Sequence, residues 1–259
     1  MDDQHKEPLT VKQLEQQREL INQRLDDQRA RINARLDKKK AKLTGQLNRK
    51  QEEIVAVALE LLDAVGLSNL SLRAIAKQLA VRPPALYWHF QNKEALVDFM
   101  AEAILQGEFK DARPRQKGET WQDWLVAHAS RLRKAMLAHR DGGRVVAGAH
   151  IYPAMTLVEW FEDAFVALTS AGLDLQTARH ILMTASRYTF GYVIEEQAGP
   201  TPEEQAHTDL PASIMRLEAF AARYPNFAAA IHEAERTGAS AEEDFVVGLE
   251  YIINGTAKA

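Results

Sequence analysis

Two spacings of apolar residues divide this chain. Over residues 10–53 the apolar positions are sparse and regular. In rows of eleven, one column reads Thr10, Ile21, Ile32 and Leu43 and continues to Ile54, while another reads Leu14, Leu25, Leu36 and Leu47. Almost every other position is Gln, Arg, Lys, Asp, Asn or Glu. An eleven-residue period corresponds to about 3.67 residues per turn, which predicts a nearly straight helix bearing one narrow apolar stripe. A fully helical segment of this length spans roughly 66 Å. Such a stripe is too narrow to form a core, so the helix must pack along something. Thr44-Gly45 is its weakest helical point and Asn48 a fair N-cap, so a break is expected there.

From Asn48 onward the apolar faces broaden. Gln51 to Val65 places Ile54, Val55, Ala58, Leu61 and Leu62 on one side, and Gly66 stops that helix. Ser71 is the next N-cap, and Leu72, Ile75, Ala76 and Leu79 give a short helix ending by Ala80-Val81. Pro83 and Pro84 open a third helix, where a missing backbone N–H costs little, and it carries Ala85 to Phe90. Two short helices with a tight turn, the second polar-aromatic outside, predict a helix-turn-helix unit. Residues 99–259 read as further helices broken at 111–119, 141–143, 170–174 and 198–212, with long amphipathic stretches at 176–197 and 241–254. No segment has period 2. The expected fold is all-α: a basic helical arm (1–47), a helix-turn-helix domain (48–98) and a helical ligand-binding and dimerisation bundle (99–259).

Composition narrows the function. With 259 residues and 46% hydrophobic content the chain can bury a core, and the absence of Cys excludes disulfides, thiolate metal sites and cysteine nucleophiles. The first fifty residues hold no apolar run, and no eighteen consecutive apolar residues occur, so neither signal peptide nor membrane span is expected. A cytoplasmic protein with no membrane partner is the expectation, and Asn254-Gly255-Thr256 is read as a chance glycosylation match. The net charge of -4 hides an asymmetry: residues 1–50 hold 13 Lys+Arg against 8 Asp+Glu, leaving the remainder acidic. A basic arm on an acidic body suggests a polyanion partner or a solvated helix face.

The run Ala58-Leu59-Glu60-Leu61-Leu62, then Val65-Gly66-Leu67, Leu72-Arg73, Leu79, Leu86-Tyr87-Trp88-His89, Asn92-Lys93 and Ala95-Leu96 closely resembles the tetracycline-repressor (TetR) family. Trp121-Gln122-Asp123, His139-Arg140-Asp141-Gly142, Gly148, Phe190-Gly191 and Glu195-Glu196-Gln197 resemble landmarks of that family's ligand domain, so the likeness spans about residues 48–259. The arm lies outside it. The resemblance implies a homodimer that reads a palindromic double-stranded DNA operator with its third helix. By motif position Arg73 is then the base-reading arginine, able to take guanine O6 and N7 bidentately. Tyr87, His89 and Lys93 fall at phosphate or base-edge positions, with Trp88 as partly apolar support. Where the family's type member offers polar readers, this chain has Pro83 and Ala85, with Arg82 as an added cation and Pro84 also among the DNA-facing residues. Ala85 can only touch a thymine methyl, so a different operator is expected. Residues 51–100 carry four bases against six acids, which favours help from the arm. Its candidate phosphate contacts are Arg24, Arg29, Arg31, Arg35, Lys38, Lys39, Lys40 and Lys42. The arm alternatively pairs with its dimer mate or its own body, or docks another protein.

The resemblance also points to a ligand pocket with altered chemistry. At the position of the family's metal-binding histidine stands Val146, at a drug-contacting histidine Phe109, at the drug-contacting asparagine His128, and at a glutamine Ala164, while only Glu195 keeps its type. Mg²⁺ prefers oxygen ligands, so tetracycline is not the expected inducer. Phe109, Leu132, Val146, Phe161, Leu182, Met183 and Ser186, with His128 and His150 as polar points, suit a small hydrophobic ligand, although each of them also suits plain core. No metal and no cofactor is expected. Nor is an enzyme, since adjacent carboxylates such as Glu195-Glu196 point about 100° apart on a helix, and there is no nucleophile elbow, phosphate loop or zinc-spaced histidine pair. The alternative is a helical adaptor acting through the arm.

Overall fold

The structure, a computed structural model, describes residues 23–26, 28–36, 49–150, 152, 154–199, 219–238 and 240–255. Contacts divide the chain into two compact units, residues 1–52 and 53–259. Every regular element among the described residues is a helix, as the spacing predicts. In the first unit the chain is helical over 23–26 and 28–36. Leu25 and Ile32 of the apolar stripe are about half exposed, at 47% and 51%. The expected break at Thr44-Gly45 and the cap at Asn48 lie outside the described residues.

Helix α1 (Arg49–Val65) buries Ile54, Val55, Ala58 and Leu62. Gly66 ends it at φ 76°, a left-handed conformation that is free of steric cost only for glycine. The short α2 (Leu72–Gln78) starts where the Ser71 hydroxyl accepts from the Ala74 amide. Ala80 then turns the chain at φ 53°. The third helix, α3 (Pro83–Tyr87), is shorter than expected. His89 and Phe90 both donate their amides to the Leu86 carbonyl, tightening the turn so that the Phe90 ring enters the core.

The rest is a bundle. Asn92 caps α4 (Lys93–Phe109) by accepting from the Ala95 amide, and Thr120 caps α5 (Trp121–Leu137) by accepting from Asp123. After α6 (Gly142–Ala147) come α7 (Met155–Ser170) and α8 (Leu175–Gln197), the latter capped by Asp174. Residues 219–223 are helical, followed by α9 (Pro225–Thr237) and α10 (Ala241–Gly255). The expected break at 141–143 falls one turn earlier. Asp141 reverses the chain at φ 56°, and α6 can begin at Gly142 because a side chain there would strike the Met136 carbonyl. A further break separates α6, which ends at Ala147, from α7, which begins at Met155. Helix α5 packs against α4, α6, α7, α8 and α10, so the bundle is built around it. Leu125, Leu132, Met136, Leu168, Leu182, Phe245 and Leu249 fill this core with no exposure.

Candidate nucleic-acid interface and ligand site

Helices α2 and α3 form the helix-turn-helix. Leu72, Ile75 and Ala76 are buried, which leaves Arg73 and Lys77 exposed on the rest of α2. On α3, Leu86 is 1% exposed and anchors the helix, while Arg82, Pro84, Ala85 and Tyr87 stand in solvent. The Trp88 indole is 89% exposed. It therefore supports nothing in this fold, and its expected packing role is replaced by Phe90, which is buried against Phe99. His89 is half-buried. Lys93 is held back from the surface: its ammonium donates to the Leu67 carbonyl at 2.6 Å. The four arm residues Lys38, Lys39, Lys40 and Lys42 lie outside the described residues. Arg24, Arg29, Arg31 and Arg35 sit on exposed helix, Arg29 3.9 Å from Asp26.

The reader is tied to the bundle by carboxylates. Asp63 accepts from the His139 ring at Nδ1 and from the Arg140 amide, both at 2.9 Å. Asp141 accepts from the Leu67 amide at 2.8 Å. On α4 two buried acids one turn apart face the α6–α7 connection and the first turn of α7. Asp98 accepts from the His150 amide at 2.9 Å and Glu102 from the Thr156 amide at 2.8 Å, with the Thr156 hydroxyl on the other Glu102 oxygen. A cavity of about 440 Å³ lies at this junction, lined in part by Lys93, Asp98, Arg144 and His150. Sequence reasoning did not single out Asp98 and Glu102. Their signal was present: two acids four residues apart inside Leu96–Leu105, an otherwise apolar run.

The expected ligand residues do not form one cluster. Leu132, Val146, Leu182 and Ser186 are packed in the core at 2% exposure or less, and none lines either cavity described here. His150 is not among the others: its side chain is 73% exposed, with Nδ1 3.1 Å from an Asp98 oxygen. Phe109, His128 and Phe161 do come together, around two tryptophans. The His128 ring is stacked between Trp124 and Trp160, with centroids 4.2 and 5.0 Å away, and Phe109 meets it edge-on at 5.7 Å. Phe161 meets the Trp160 ring edge-on. Met183 is half-buried. His128 Nε2 lies 3.1 Å from the Trp160 carbonyl, which can only accept, so Nε2 carries the proton. Burial, reinforced by the nearby Arg131 charge, pulls the His128 pKa down to about 4 against the raising effect of that hydrogen bond. A cavity of about 160 Å³ opens beside this ring, lined by Ala112, Arg113, Trp124, Ala127, His128 and Arg131.

Residues 54–99 match the family described as bacterial regulatory proteins, tetR family, and residues 113–259 match the tetracyclin repressor-like C-terminal domain. The chain belongs to the TetR family. Members of this family are DNA-binding transcriptional repressors and not enzymes. One relative is the class A tetracycline repressor protein of transposon 1721 from Escherichia coli, 37% identical over 206 residues, which are 79% of this chain and 89% of that one. The solved structure of class A TetR with 5a,6-anhydrotetracycline and magnesium is 31% identical, with a TM-score of 0.56 over 80% of this chain and 96% of that one. BioQ bound to its double-stranded DNA operator is 30% identical, with a TM-score of 0.51 over 57% of this chain and 87% of that one. No helix among the described residues is long and apolar enough to cross a membrane.

Proposed function

We propose that this TetR-family chain works as a homodimer that holds a palindromic operator and is released by a small hydrophobic ligand other than tetracycline. The observation that carries the repressor reading is the exposed set Arg73, Arg82, Tyr87 and Trp88 on a helix-turn-helix whose inner face is firmly packed. Arg73 reads a base edge, while Tyr87 and His89 fix the register on phosphates. Val247 and Tyr251, one turn apart on α10, are exposed at 44% and 76% and give the second subunit an apolar surface to cover. A two-fold pair of readers matches successive major grooves about 34 Å apart.

The ligand reading rests on what stands at the family's chelate positions. A magnesium–tetracycline complex needs oxygen or nitrogen groups there, and Val146 and Ala164 are apolar and fully buried. These residues do not fit the chelate. The aromatic cluster of Phe109, Trp124, His128, Trp160 and Phe161 suits a different occupant. Ligand binding favours a conformer in which the reading heads no longer match the grooves, by several kcal/mol of differential affinity. Helix α4, held to the α6–α7 connection through Asp98 and Glu102, carries that change to the reader.

The adaptor reading keeps one supporting observation, the half-exposed Leu25 and Ile32 on the arm. Labelled DNA from the region upstream of the gene separates the two. Arg73→Ala is expected to lower affinity by about ten- to a hundredfold with no loss of thermal stability. Undiminished binding by that variant would sink the assignment of Arg73, and binding of no site by either form would favour the adaptor.

A further inference from the structure

We propose that the cavity beside His128 is the effector site and that its occupant is a single-ring aromatic acid bearing a hydroxyl or N–H donor. This rests on the reading of the chain as a ligand-released repressor and specifies the ligand's chemistry. Size comes first. About 160 Å³ is close to the volume that holds one benzene ring, and well below the roughly 300 Å³ at which drug-sized pockets begin. That volume suits one six-membered ring.

Charge comes second. Arg113 and Arg131 both line the cavity. Arg113 is committed to Glu119 through two hydrogen bonds of 2.9 Å. Arg131 has no ion-pair partner among the described residues, and is only partly exposed. The adjoining segment 110–119 adds Lys110, Arg113, Arg115 and Lys117 against Asp111 and Glu119, an excess of two cations. A guanidinium without a partner, in a cationic surround, selects a carboxylate, which it can hold bidentately.

The third element is the imidazole. His128 is 94% buried by its 6% exposure, and its Nε2 proton is spent on the Trp160 carbonyl. Nδ1 is then a bare lone pair, and among the described residues nothing donates to it. A ligand hydroxyl or N–H beside the carboxylate can donate to that lone pair. The Trp124 indole, stacked on His128 and lining the same cavity, offers an aromatic surface to the ligand ring. Acid, ring and donor are each matched by a different side chain.

Calorimetric titration of the full-length protein tests this with 2-hydroxybenzoate and 4-hydroxybenzoate as probes and 4-hydroxybenzyl alcohol as the uncharged control. At least one of the acids is expected to bind, with the alcohol at least tenfold weaker. Arg131→Gln, a surface change that leaves the melting temperature unaltered, is expected to weaken the acid by about tenfold or more. Ala127→Phe, which fills the cavity from an exposed position, is expected to abolish it. No binding of either acid at millimolar concentration, or binding that both variants leave intact, overturns the proposal. Operator binding is measured in parallel. If the protein binds operator but no acid releases it, the effector site is wrong and the repressor reading stands; if an acid binds and no operator does, the repressor reading fails and the ligand site remains.

Discussion

Ala80 sits at φ 53° in the turn between α2 and α3, a conformation that costs a non-glycine residue about 1–2 kcal/mol. Ala80→Gly removes that strain but adds unfolded-chain entropy worth about 0.4–1 kcal/mol, so a net gain on the order of 0.5 kcal/mol is expected, read as a rise in thermal midpoint. His128 makes a larger statement. Its pKa of about 4 lies below the ordinary value near 6.5, so the unfolded ring binds a proton that the folded ring refuses. The stability this residue contributes is whole above about pH 6.5, falls as pH drops through the window, and is gone below about 4; its size is on the order of 3 kcal/mol. An NMR titration in which the His128 ring signals stay neutral down to pH 5 checks this; a midpoint near 6.5 refutes it. Neither effect was legible in the sequence. Ala80 looks like an ordinary helix end, and nothing in the spacing announces that Trp124 and Trp160 enclose His128 from both sides. The tryptophans lie 36 positions apart on different helices, and only packing brings them to one ring.

At the scale of elements the sequence was more informative. The caps and stops at Gly66 and Ser71 and the proline opening of α3 are local chemistry, and they appear where spacing predicts them. The α6 region was displaced because its start is set by a steric condition between Gly142 and the Met136 carbonyl, which no hydrophobic pattern reports. The exposure of Arg73, Arg82 and Tyr87 was legible, because these positions fall off the apolar face of a short packed unit, whereas that of Trp88 was not. Which side chains line a cavity was not legible, since an apolar side chain in a bundle reads the same whether it faces a cavity or a neighbour, and Val146 and Leu182 face neighbours. Helix α4 shows the converse: Asp98 and Glu102 are polar yet buried, each accepting a backbone amide. Glu102→Ala leaves the Thr156 amide without its partner, so a loss of about 1–3 kcal/mol is expected in chemical denaturation, together with weaker ligand control of operator affinity. Unchanged control in a folded variant would show that α4 moves independently of the α6–α7 connection.

The whole molecule joins a near-neutral reader to a basic arm. Residues 1–50 carry five more bases than acids, 13 against 8, and the described arginines among them lie on exposed helix. Removal of residues 1–48 is expected to weaken operator binding and to flatten its salt dependence by about one unit of logarithmic slope per lost phosphate contact. Coincident curves for the two forms would assign the arm to assembly instead. The four tryptophans of this chain are also distributed in a useful way. Trp88 is 89% exposed on the reader, whereas Trp124 and Trp160 are 3% and 1% exposed around the imidazole. A solvated indole emits to the red and an enclosed one to the blue, so the two ends of the regulator carry intrinsic labels of different colour. Quenching at the red edge then follows docking on DNA, while the blue edge follows events at the ring stack, and a single emission spectrum reads both ends of the switch in one sample.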